Sequence, residues 1–480
     1  MKKLLLVNTN TAKAPYPIPP LGICLIASCL QGSFDVRIYD GMFDEGLSLE
    51  AELRAFKPDF IGFGIRNVDN MVPDHRIYFV EDAYLKFIEP ARRYTDVPFI
   101  LGGSGFTIFP REIMDYTGAD YGITGEGEET LMLLLQKLGR GDDVSNIPNV
   151  FTKSGQGPVL PVPGEDYNLR PYSLIDNKIN FKPYTGRGVY SIQTKRGCAL
   201  QCLYCSYPML EGKQYRLRDP SSIADEIEQA SERIGLGVTF EFVDSTFNEP
   251  KDHAEAICRE LIRRKIKVRM RTMGVNPRRT SRELFALMTE AGFAQIDVTP
   301  DSASPSVIRN LRKGFTMDDI RRTANLIREF DIPSMWFFLF GGPGENRETF
   351  NETLDFIDHY INPDDLVYMS GGLRIYPGTP LYTTAMDEGV ISASDNLLDP
   401  SVFYFSKNAP QAQLREWTLE ACSLRLNCLP SAETTPSAEM LGEAVLMRNA
   451  GGLTEPMFRT LMRIRREWKA NGRLTSTGIY

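Results

Sequence analysis

The 480-residue sequence predicts an α/β protein in which two successive parallel sheets are followed by a mainly helical C-terminal region. Short apolar segments alternate with helical patterns up to about residue 145, and the alternation returns six times between residues 189 and 390. The stretch between these regions contains many prolines and glycines that break any periodicity. We therefore expect a doubly wound parallel sheet over 1–145, a linker over 146–188, a partial (β/α)6 barrel over 189–390 and a helical region over 391–480.

Composition restricts the class of protein and its partners. Apolar residues make up 42% of the chain, and no apolar run approaches the roughly 18 residues that cross a bilayer. The start, MKKLLLVNTN, is typical of a strand rather than of an export signal. Eight cysteines form no regular disulfide framework, which favours the reducing cytosol. The net charge of -8 and the lack of a dense basic stripe argue against nucleic acid. We expect a small-molecule or peptide partner and no membrane.

The N-terminal region is expected to place a ligand at the carboxyl ends of its strands, as doubly wound sheets do. Strands are predicted at 3–8, 35–39, 60–65, 99–101 and 121–123, with helices at 22–30, 50–56 and 80–93. Small residues after the strands let backbone amides approach a bulky ligand, although Gly102 and Gly103 also suit tight turns alone. No turn matches GxGxxG or GxxxxGK[ST], so neither a dinucleotide nor a triphosphate is predicted. The candidate binding residues are Thr9, Asn10, Arg66, Asn67, Gly102, Gly103, Ser104, Gly125, Glu126 and Gly127.

The second region predicts a barrel that is open on one side, because it contains only six strand-helix units. Its helices are amphipathic, and one of them has four apolar residues on a single face. They are Leu284, Leu287, Met288 and Ala291. The expected strands are 189–194, 238–243, 268–273, 295–299, 335–340 and 366–375.

The segments outside the two sheets also predict packing. Apolar residues of the linker are too frequent for a free tether, so we expect it to wrap both domains. They are Phe151, Val159, Leu160, Tyr167 and Tyr172. A helix is expected near the C-terminus, around Phe458 and Trp468. Four aromatic residues of this region either fill an ordinary core or cover the open side of the barrel and shape a substrate pocket. They are Phe403, Tyr404, Phe405 and Trp417.

Three cysteines follow the first predicted barrel strand. Cys198, Cys202 and Cys205 are so close in sequence that a single metal site is the simplest interpretation. Tetrahedral zinc usually takes two pairs of ligands, and the sequence has no second CxxC pair. Three thiolates suit a 4Fe-4S cluster whose fourth iron stays open to a non-protein ligand. The alternative is three unrelated buried thiols.

The cysteine spacing, with Tyr204 directly before the third cysteine, resembles the radical SAM superfamily. The resemblance implies that the cysteines bind a 4Fe-4S cluster, that its open iron chelates S-adenosylmethionine (SAM), and that Tyr204 packs near the adenine. Asp244 lies in a segment similar to FxDDxF, with Ser245 in the second acidic place, and would bind the methionine amino group or else cap the next helix. Asp301 would face the SAM ribose, and Lys313 fits the same segment. Further positions that match family turns are Gly341, Gly342, Glu345 and Arg374.

The N-terminal region, with its GGSG and GEGE turns, resembles the flavodoxin-like cobalamin-binding domain of cobalamin-dependent radical SAM proteins. None of the three histidines stands in a DxHxxG motif, so a histidine ligand to cobalt is not implied. Arg66 would lie at the lower corrin face, where a cation keeps the nucleophilic Co(I) state accessible. Alternatively, Arg66 is a solvated loop residue that pairs with Asp59 or Asp69.

These resemblances cover roughly residues 1–390 and imply an enzyme with three cofactors, a 4Fe-4S cluster, SAM and cobalamin. In the commonest reaction of the family, an electron from the cluster cleaves SAM, the resulting 5′-deoxyadenosyl radical activates a substrate carbon, and that carbon takes a methyl group from methylcobalamin. We therefore expect a C-methyltransferase served by an external one-electron donor such as flavodoxin or ferredoxin. Two alternatives stay open. One is ring formation or rearrangement without methyl transfer, and the other is a non-enzymatic cobalamin or iron sensor or carrier.

Overall fold

The computed structural model describes residues 1–13, 16–43, 48–158, 175–185, 188–235, 237–431 and 436–473. These residues form two seven-stranded sheets with helices packed against them. Part of the predicted linker lies outside the described residues, including Val159, Leu160, Tyr167 and Tyr172.

The first sheet confirms the predicted doubly wound arrangement. Its strands are β1 (Lys3–Asn8), β2 (Asp35–Asp40), β3 (Phe60–Gly64), β4 (Phe99–Gly102), β5 (Tyr121–Ile123), β6 (Val150–Thr152) and β7 (Gly155–Gln156). Its helices are α1 (Leu21–Leu30), α2 (Leu49–Phe56), α3 (Phe79–Ala83), α4 (Glu89–Tyr94), α5 (Ser104–Ile108), α6 (Pro110–Thr117) and α7 (Glu128–Arg140). The first five strands are parallel in the order β2-β1-β3-β4-β5.

The apolar run in β1 explains why this sheet has helices on both faces. Leu4 and Leu6 are buried in one core, together with residues of α1 and α7. Leu5 and Val7 are buried in another core, which contains residues of α2 and α6. Successive side chains of a strand point to opposite faces, so a continuous apolar run requires cover on both.

A hairpin extends the first sheet into the predicted linker. β6 pairs antiparallel with β5, and β7 pairs antiparallel with β6. The sheet therefore reaches Gln156, beyond the expected domain end at residue 145. The reason is the buried side chain of Phe151, whose ring lies 6.2 Å from that of Phe106 and completes the core under α5.

The described end of the linker packs against both domains, as expected. Ile175, Phe181 and Tyr184 are buried with the core of the second sheet. The Tyr184 hydroxyl also donates to Asp40 Oδ2 of β2 over 2.7 Å. The linker therefore ties the second sheet to the edge of the first.

The second sheet confirms the open barrel and adds one strand to it. In chain order the remaining strands are β8 (Val189–Ile192), β9 (Lys195–Arg196), β10 (Arg216–Leu217), β11 (Thr239–Phe242), β12 (Arg269–Val275), β13 (Phe293–Asp301), β14 (Ser334–Phe340), β15 (Leu366–Gly371), β16 (Leu373–Arg374), β17 (Phe403–Tyr404) and β18 (Cys428–Pro430). Seven parallel strands have the order β18-β15-β14-β13-β12-β11-β8. β18 lies in the region predicted to be helical. Its strand was not predicted because three residues are too few to show a period of two.

The remaining helices surround the barrel and close one end of it. They are α8 (Tyr207–Leu210), α9 (Pro220–Ile234), α10 (Lys251–Arg263), α11 (Arg282–Ala291), α12 (Pro305–Asn310), α13 (Met317–Phe330), α14 (Arg347–Tyr360), α15 (Pro380–Asp387), α16 (Gln411–Leu424), α17 (Ala438–Gly451) and α18 (Met457–Ala470). Of the predicted apolar face of α11, Leu284, Met288 and Ala291 are buried and Leu287 is half-buried. Met440, Leu461 and Trp468 join α17 to α18.

The two domains share a hydrophobic core. Leu203, Leu311 and Ile375 of the second domain are buried in the same cluster as Phe63 and Phe106 of the first. Tyr404 belongs to this shared core, whereas Phe405 and Trp417 pack against the barrel core. Among the described residues, no helix combines the length and the apolar character needed to cross a membrane.

Candidate functional site

The three cysteines lie on one loop between β9 and α8, beyond the carboxyl end of β8. Cys198 is buried, whereas Cys202 and Cys205 are half-buried. The loop backbone is held on two sides, because the Cys198 N–H donates to the Gly212 carbonyl (3.0 Å) and the Leu203 N–H donates to the Leu311 carbonyl (2.9 Å). The structure thus presents three thiols on a fixed loop at the mouth of the barrel.

This donor set is that of a 4Fe-4S cube held by three cysteines. Within the described residues, no three His, Cys, Asp or Glu side chains converge closely enough to hold one metal ion. Ligands of a cube need not converge, because each thiolate binds a different iron. Burial raises the pKa of Cys202 and raises that of Cys205 to about 12. Both thiols therefore keep their protons until a metal displaces them.

Four buried charged side chains join the cysteine loop to the first sheet. Arg196 and Arg216 flank the loop on β9 and β10, and Glu126 and Glu128 lie between β5 and the first turn of α7. Arg196 Nη2 is 2.5 Å from Glu128 Oε1, Arg196 Nη1 is 3.2 Å from Glu126 Oε2, and Arg216 Nη1 is 3.0 Å from Glu126 Oε2. None of these side chains is more than 11% exposed. Glu126 thus binds the cysteine hairpin, and its predicted contact with a cofactor stays a prediction.

Tyr204, Asp301 and Lys313 form a buried cluster beside the cysteines. The Tyr204 hydroxyl donates to Asp301 Oδ2, and Lys313 Nζ lies 2.7 Å from the same oxygen. Lys313 Nζ is also 3.3 Å from the Tyr204 hydroxyl oxygen. Burial and the neighbouring Asp301 charge raise the pKa of Tyr204 well above its usual value. The structure therefore unites residues from three separate segments, and the adenine and ribose roles stay predictions.

Asp244 connects the ends of β8 and β11. Its Oδ1 accepts from the Thr194 N–H (2.7 Å), and its Oδ2 accepts from the Thr194 hydroxyl (2.6 Å). The fully buried Lys195 Nζ lies 3.3 Å from Oδ2. Both oxygens are engaged by the start of the cysteine loop, and the contact of Asp244 with a SAM amino group stays a prediction. Asp244 does not cap α10, since that helix begins at Lys251 after Pro250.

The glycine turn after β14 is braced from within the protein. Gly341 has a φ of 93°, and its carbonyl accepts from the Ser406 N–H (2.8 Å). Glu345 is fully buried, and its carboxylate accepts from the Thr349 hydroxyl (2.5 Å) and the Gly341 N–H (3.4 Å). Burial raises the pKa of Glu345 to about 7. A Cβ at Gly342 would lie 2.9 Å from Leu311. Glu345 therefore shapes this turn instead of projecting from it.

Arg374 holds the two domains together. Its Nε donates to Asp69 Oδ2 (2.9 Å), and its other nitrogens donate to the carbonyls of Leu397 (2.6 Å) and Ile375 (2.9 Å). The Arg374 and Asp69 side chains are 3% and 1% exposed. Asp69 lies on the loop after β3, so Arg374 joins the second domain to the first, and its predicted contact with a cofactor stays a prediction. The sequence around Arg374 does not indicate that its partner is Asp69, which lies 305 residues away along the chain.

The turns at the carboxyl edge of the first sheet lie together as predicted. The Ser104 hydroxyl donates to the Arg66 carbonyl (2.8 Å), and the Gly125 N–H donates to the Thr107 hydroxyl (3.0 Å). Gly103 has a φ of 103°, and a Cβ there would lie 2.5 Å from the Ile65 carbonyl oxygen, so only glycine fits. Other predicted residues of this edge differ in exposure. Asn67 is exposed, Asn10, Gly102 and Gly127 are half-buried, and Thr9 is buried with its hydroxyl on the Gly64 carbonyl (2.8 Å).

Arg66 is exposed at this edge and has neither of the carboxylate partners considered for it. Asp69 pairs with Arg374, and Asp59 Oδ2 accepts from the Lys3 N–H (2.7 Å). The positive charge of Arg66 acts on Tyr207 of α8, where it offsets part of the rise in phenol pKa caused by burial. Arg66 therefore lies between the first sheet and the helix that follows the cysteines.

Sequence reasoning missed Glu128, Arg196, Arg216 and Asp69. Arg196 and Glu128 share one signal, since each is a charged residue within two positions of a motif cysteine or glycine, whereas Arg216 and Asp69 have no such neighbour. Arg196 and Cys198 are two residues apart, and Glu128 follows directly after the GEG turn. Charge complementarity between the two motifs was the available clue.

Comparisons with known proteins match both domains. The model of the Radical SAM superfamily matches residues 192–357, and that of the B12 binding domain matches residues 7–135. The tryptophan 2-C-methyltransferase of Streptomyces laurentii is 27% identical over 441 residues, which cover 78% of this chain and 72% of the relative. An uncharacterized methyltransferase of Pyrococcus horikoshii is 24% identical over 448 residues, which cover 88% of this chain and 90% of the relative.

A solved structure shares the whole fold. The radical SAM methyltransferase TsrM from Kitasatospora setae, solved with cobalamin and a [4Fe-4S] cluster bound, has a TM-score of 0.79 at 24% identity. The match covers 98% of this chain and 100% of that chain. A B12 binding domain thus precedes a radical SAM domain that presents the three cysteines, and the chain belongs to the cobalamin-dependent radical SAM superfamily.

Proposed function

We propose that the protein is a cobalamin-dependent radical SAM methyltransferase that moves a methyl group from SAM, through cobalamin, to a carbon atom of a small molecule or peptide. The observation that carries this proposal is the buried network of Arg196, Arg216, Glu126 and Glu128, which fixes the three-cysteine loop against the carboxyl edge of the B12 domain. The relatives named as methyltransferases support the same reaction class.

The residues present fit both metal cofactors. Cys198, Cys202 and Cys205 would hold the 4Fe-4S cluster through thiolates. The exposed turns with Gly103 and Ser104 would hold the corrin through backbone amides, and this turn requires glycine because a Cβ at Gly103 would lie 2.5 Å from the Ile65 carbonyl oxygen. When bound, the cluster supplies the electron that cleaves SAM, and cobalamin supplies a transferable methyl group. The protein itself positions these groups and excludes water.

Arg66 is proposed to lie under the lower face of the corrin. It is exposed at the edge of the sheet, and the two carboxylates considered for it are bound elsewhere. A guanidinium donates hydrogen bonds but cannot accept or coordinate, so it would leave cobalt without a lower ligand.

SAM is proposed to bind between the cysteines and the ends of β13 and β14. Among the described residues, Tyr204 and Lys313 both contact Oδ2 of Asp301, which leaves Oδ1 for the ribose. Tyr204 and Lys313 fix the orientation of this carboxylate. Gly341 and Gly342 would line the site at the next strand end, where their missing side chains let Leu414 and Leu311 pack closely behind the turn. Asp244, Glu345 and Arg374 would act only by holding the surrounding loops.

The proposed setting is the cytosol, with a flavodoxin or ferredoxin as the electron donor and no nucleic acid partner. A ring-forming reaction is the second candidate, because the anaerobic magnesium-protoporphyrin IX monomethyl ester cyclase of Rubrivivax gelatinosus is 26% identical over 371 residues. That alignment covers 72% of this chain and 63% of the relative.

Isotope transfer tests the proposal and separates the candidates. The protein is reconstituted with cluster and hydroxocobalamin, reduced, and incubated with SAM that carries a labelled methyl group. A methyltransferase transfers the label to cobalamin. Formation of 5′-deoxyadenosine without labelled cobalamin would favour the ring-forming reaction, and the absence of both products would reject an enzyme in favour of a carrier.

A further inference from the structure

The interior face of the barrel carries a row of polar side chains across four neighbouring strands. Glu241 of β11 is the register partner of Ser191 in β8 and of Arg271 in β12. Arg271 is in turn the partner of Gln295 in β13. The alternate residues of these strands, such as Phe240, are buried in the core under the outer helices. Since successive strand side chains point to opposite faces, the polar row faces the barrel interior.

Glu241 is the centre of this row, and its two carboxylate oxygens have different surroundings. Oε1 accepts from the Tyr16 hydroxyl (2.8 Å) and from Arg271 Nε (2.6 Å). Oε2 is buried and has no hydrogen-bond partner among the described residues. Both donors are thus gathered at Oε1, and Oε2 faces the interior without a donor among the described residues.

Ser191 repeats this pattern on the next strand. Its hydroxyl is buried, and no described residue bonds to it. Ser191 and Glu241 are each 1% exposed. A buried polar atom without a partner is unfavourable because its lost hydration is not replaced, and native proteins contain few such atoms. Two such atoms in adjacent register positions therefore point to a bound group that donates hydrogen bonds.

The charge of the row favours a cation. Arg271 balances Glu241, and Asp297, two residues beyond Gln295 on the same face, adds a second carboxyl group, which accepts from Gln295 Nε2 (2.8 Å) and whose pKa burial raises to about 7. The remaining cation on this face of β12, Arg269, lies near Arg448 instead. An excess of carboxylate over guanidinium attracts an ammonium group and disfavours a second anion.

The opposite wall of the interior is aromatic. The rings of Phe337 in β14 and Tyr368 in β15 stack with their centroids 5.1 Å apart. Met335, which shares its strand face with Phe337, contacts Gln295 Nε2 at 3.1 Å, so this wall and the polar row enclose the same space. The barrel interior thus offers hydrogen-bond acceptors on one side and a flat apolar surface on the other.

We propose that Glu241 and Ser191 bind the ammonium group of the substrate, and that the enzyme acts on a primary amine with an apolar body. This inference rests on the proposed function, because it names the substrate class of the same barrel. Glu241 precedes Asp244, at the barrel mouth, by three residues, or about 10 Å at roughly 3.3 Å per residue. If Glu241 binds the ammonium group of a substrate, carbon atoms about 10 Å from that group would lie near the cysteine loop.

Binding of three matched indoles to the reconstituted full-length protein tests the inference by saturation-transfer NMR and titration. Tryptamine carries only the ammonium group, indole-3-propionate only the carboxylate, and tryptophan both. We expect tryptamine and tryptophan to bind and indole-3-propionate not to bind. Glu241→Gln should weaken tryptamine binding about 10- to 100-fold, as expected for loss of a charge-assisted hydrogen bond. Ser191→Ala should weaken it about 3- to 10-fold, and it keeps the inference testable if the first variant does not fold.

Glu260→Gln is the matched control, because Glu260 lies on α10 outside the barrel and pairs with Arg263 and Arg264. Three results would overturn the inference: equal binding of tryptamine and indole-3-propionate, no binding of tryptamine, or unchanged tryptamine binding in a folded Glu241→Gln protein. Glu241 Oε2 and the Ser191 hydroxyl would then be assigned to water. Iron and cobalt contents are measured on the same samples. Loss of both metals from the wild-type protein would refute the proposed function, whereas bound metals without amine binding would refute only this inference.

Discussion

Replacing Glu128 with glutamine should destabilise the protein by about 3 kcal/mol, because it breaks the charge balance of the interdomain network. Glu128 and Arg196 are each 8% exposed, and their closest atoms are 2.5 Å apart. Removal of one partner from a buried ion pair typically costs about 3–5 kcal/mol, since the remaining charge stays buried and uncompensated. Arg196 retains Glu126 at 3.2 Å, which places the expected cost at the lower end of this range.

Urea unfolding of the apoprotein, followed by circular dichroism, measures this loss. The double variant Glu128→Met, Arg196→Met should lose less than half as much as Glu128→Gln alone, because it removes both charges and leaves Glu126 paired with Arg216. Glu50→Gln is the control, since its pair with Arg54 is 58% and 65% exposed and should contribute less than about 0.5 kcal/mol. A change below about 0.5 kcal/mol in Glu128→Gln, or a double variant less stable than the single one, would refute the assigned role of the network.

Three further predictions concern single residues. Glu345→Gln should flatten the pH dependence of stability. Burial raises the pKa of Glu345 to about 7, so the native state binds this proton more tightly than the unfolded chain does. The protonated carboxyl therefore contributes about 3 kcal/mol of stability below pH 4.5, and this contribution is lost as the pH rises to about 7. Urea midpoints that vary equally with pH in both proteins would contradict this. Gly103→Ala should lower stability by about 1–3 kcal/mol and reduce cobalamin retention, because its φ of 103° and the Ile65 carbonyl oxygen 2.5 Å from the new Cβ force the turn to shift. Gly22→Ala is the control, since nothing lies within 4 Å of a Cβ there. Equal melting temperatures of the two variants would contradict the predicted strain at Gly103. Asp69→Ala should lower the free energy of unfolding by about 3–5 kcal/mol, because Arg374 is left buried without its carboxylate partner. Amide hydrogen exchange of the loop after β3 should become faster in this variant. An unchanged exchange rate would contradict the role of Asp69 in joining the two domains.

Most strands of both sheets could be predicted from the sequence, because β1, β3 and β4 are buried on both faces and nearly all apolar, and the barrel strands bury alternate apolar residues under the outer helices. The two additions escaped prediction for a physical reason. β18 has three residues and the β6-β7 hairpin has strands of three and two, so neither is long enough to show a period of two. Their pairing depends on partners supplied by the rest of the fold.

The candidate site was predicted correctly in place more than in detail. A residue at the carboxyl end of a strand is near the site, but its neighbours in sequence do not say whether it faces a ligand or another loop. Glu126, Asp244 and Arg374 each turned towards a protein partner that lies at least 49 residues away in sequence. Arg66 is exposed and pairs with neither of the two carboxylates considered for it, Asp59 and Asp69, and its place at the lower corrin face stays a prediction.

Counting metals after anaerobic reconstitution with iron, sulfide and hydroxocobalamin tests the central claim, that this chain holds a cluster and a corrin in adjoining sites. We predict about four irons and one cobalt per chain after gel filtration, with iron lost and cobalt retained in Cys202→Ala. Cobalt that washes off the wild-type protein, or a full iron content in Cys202→Ala, would contradict the account.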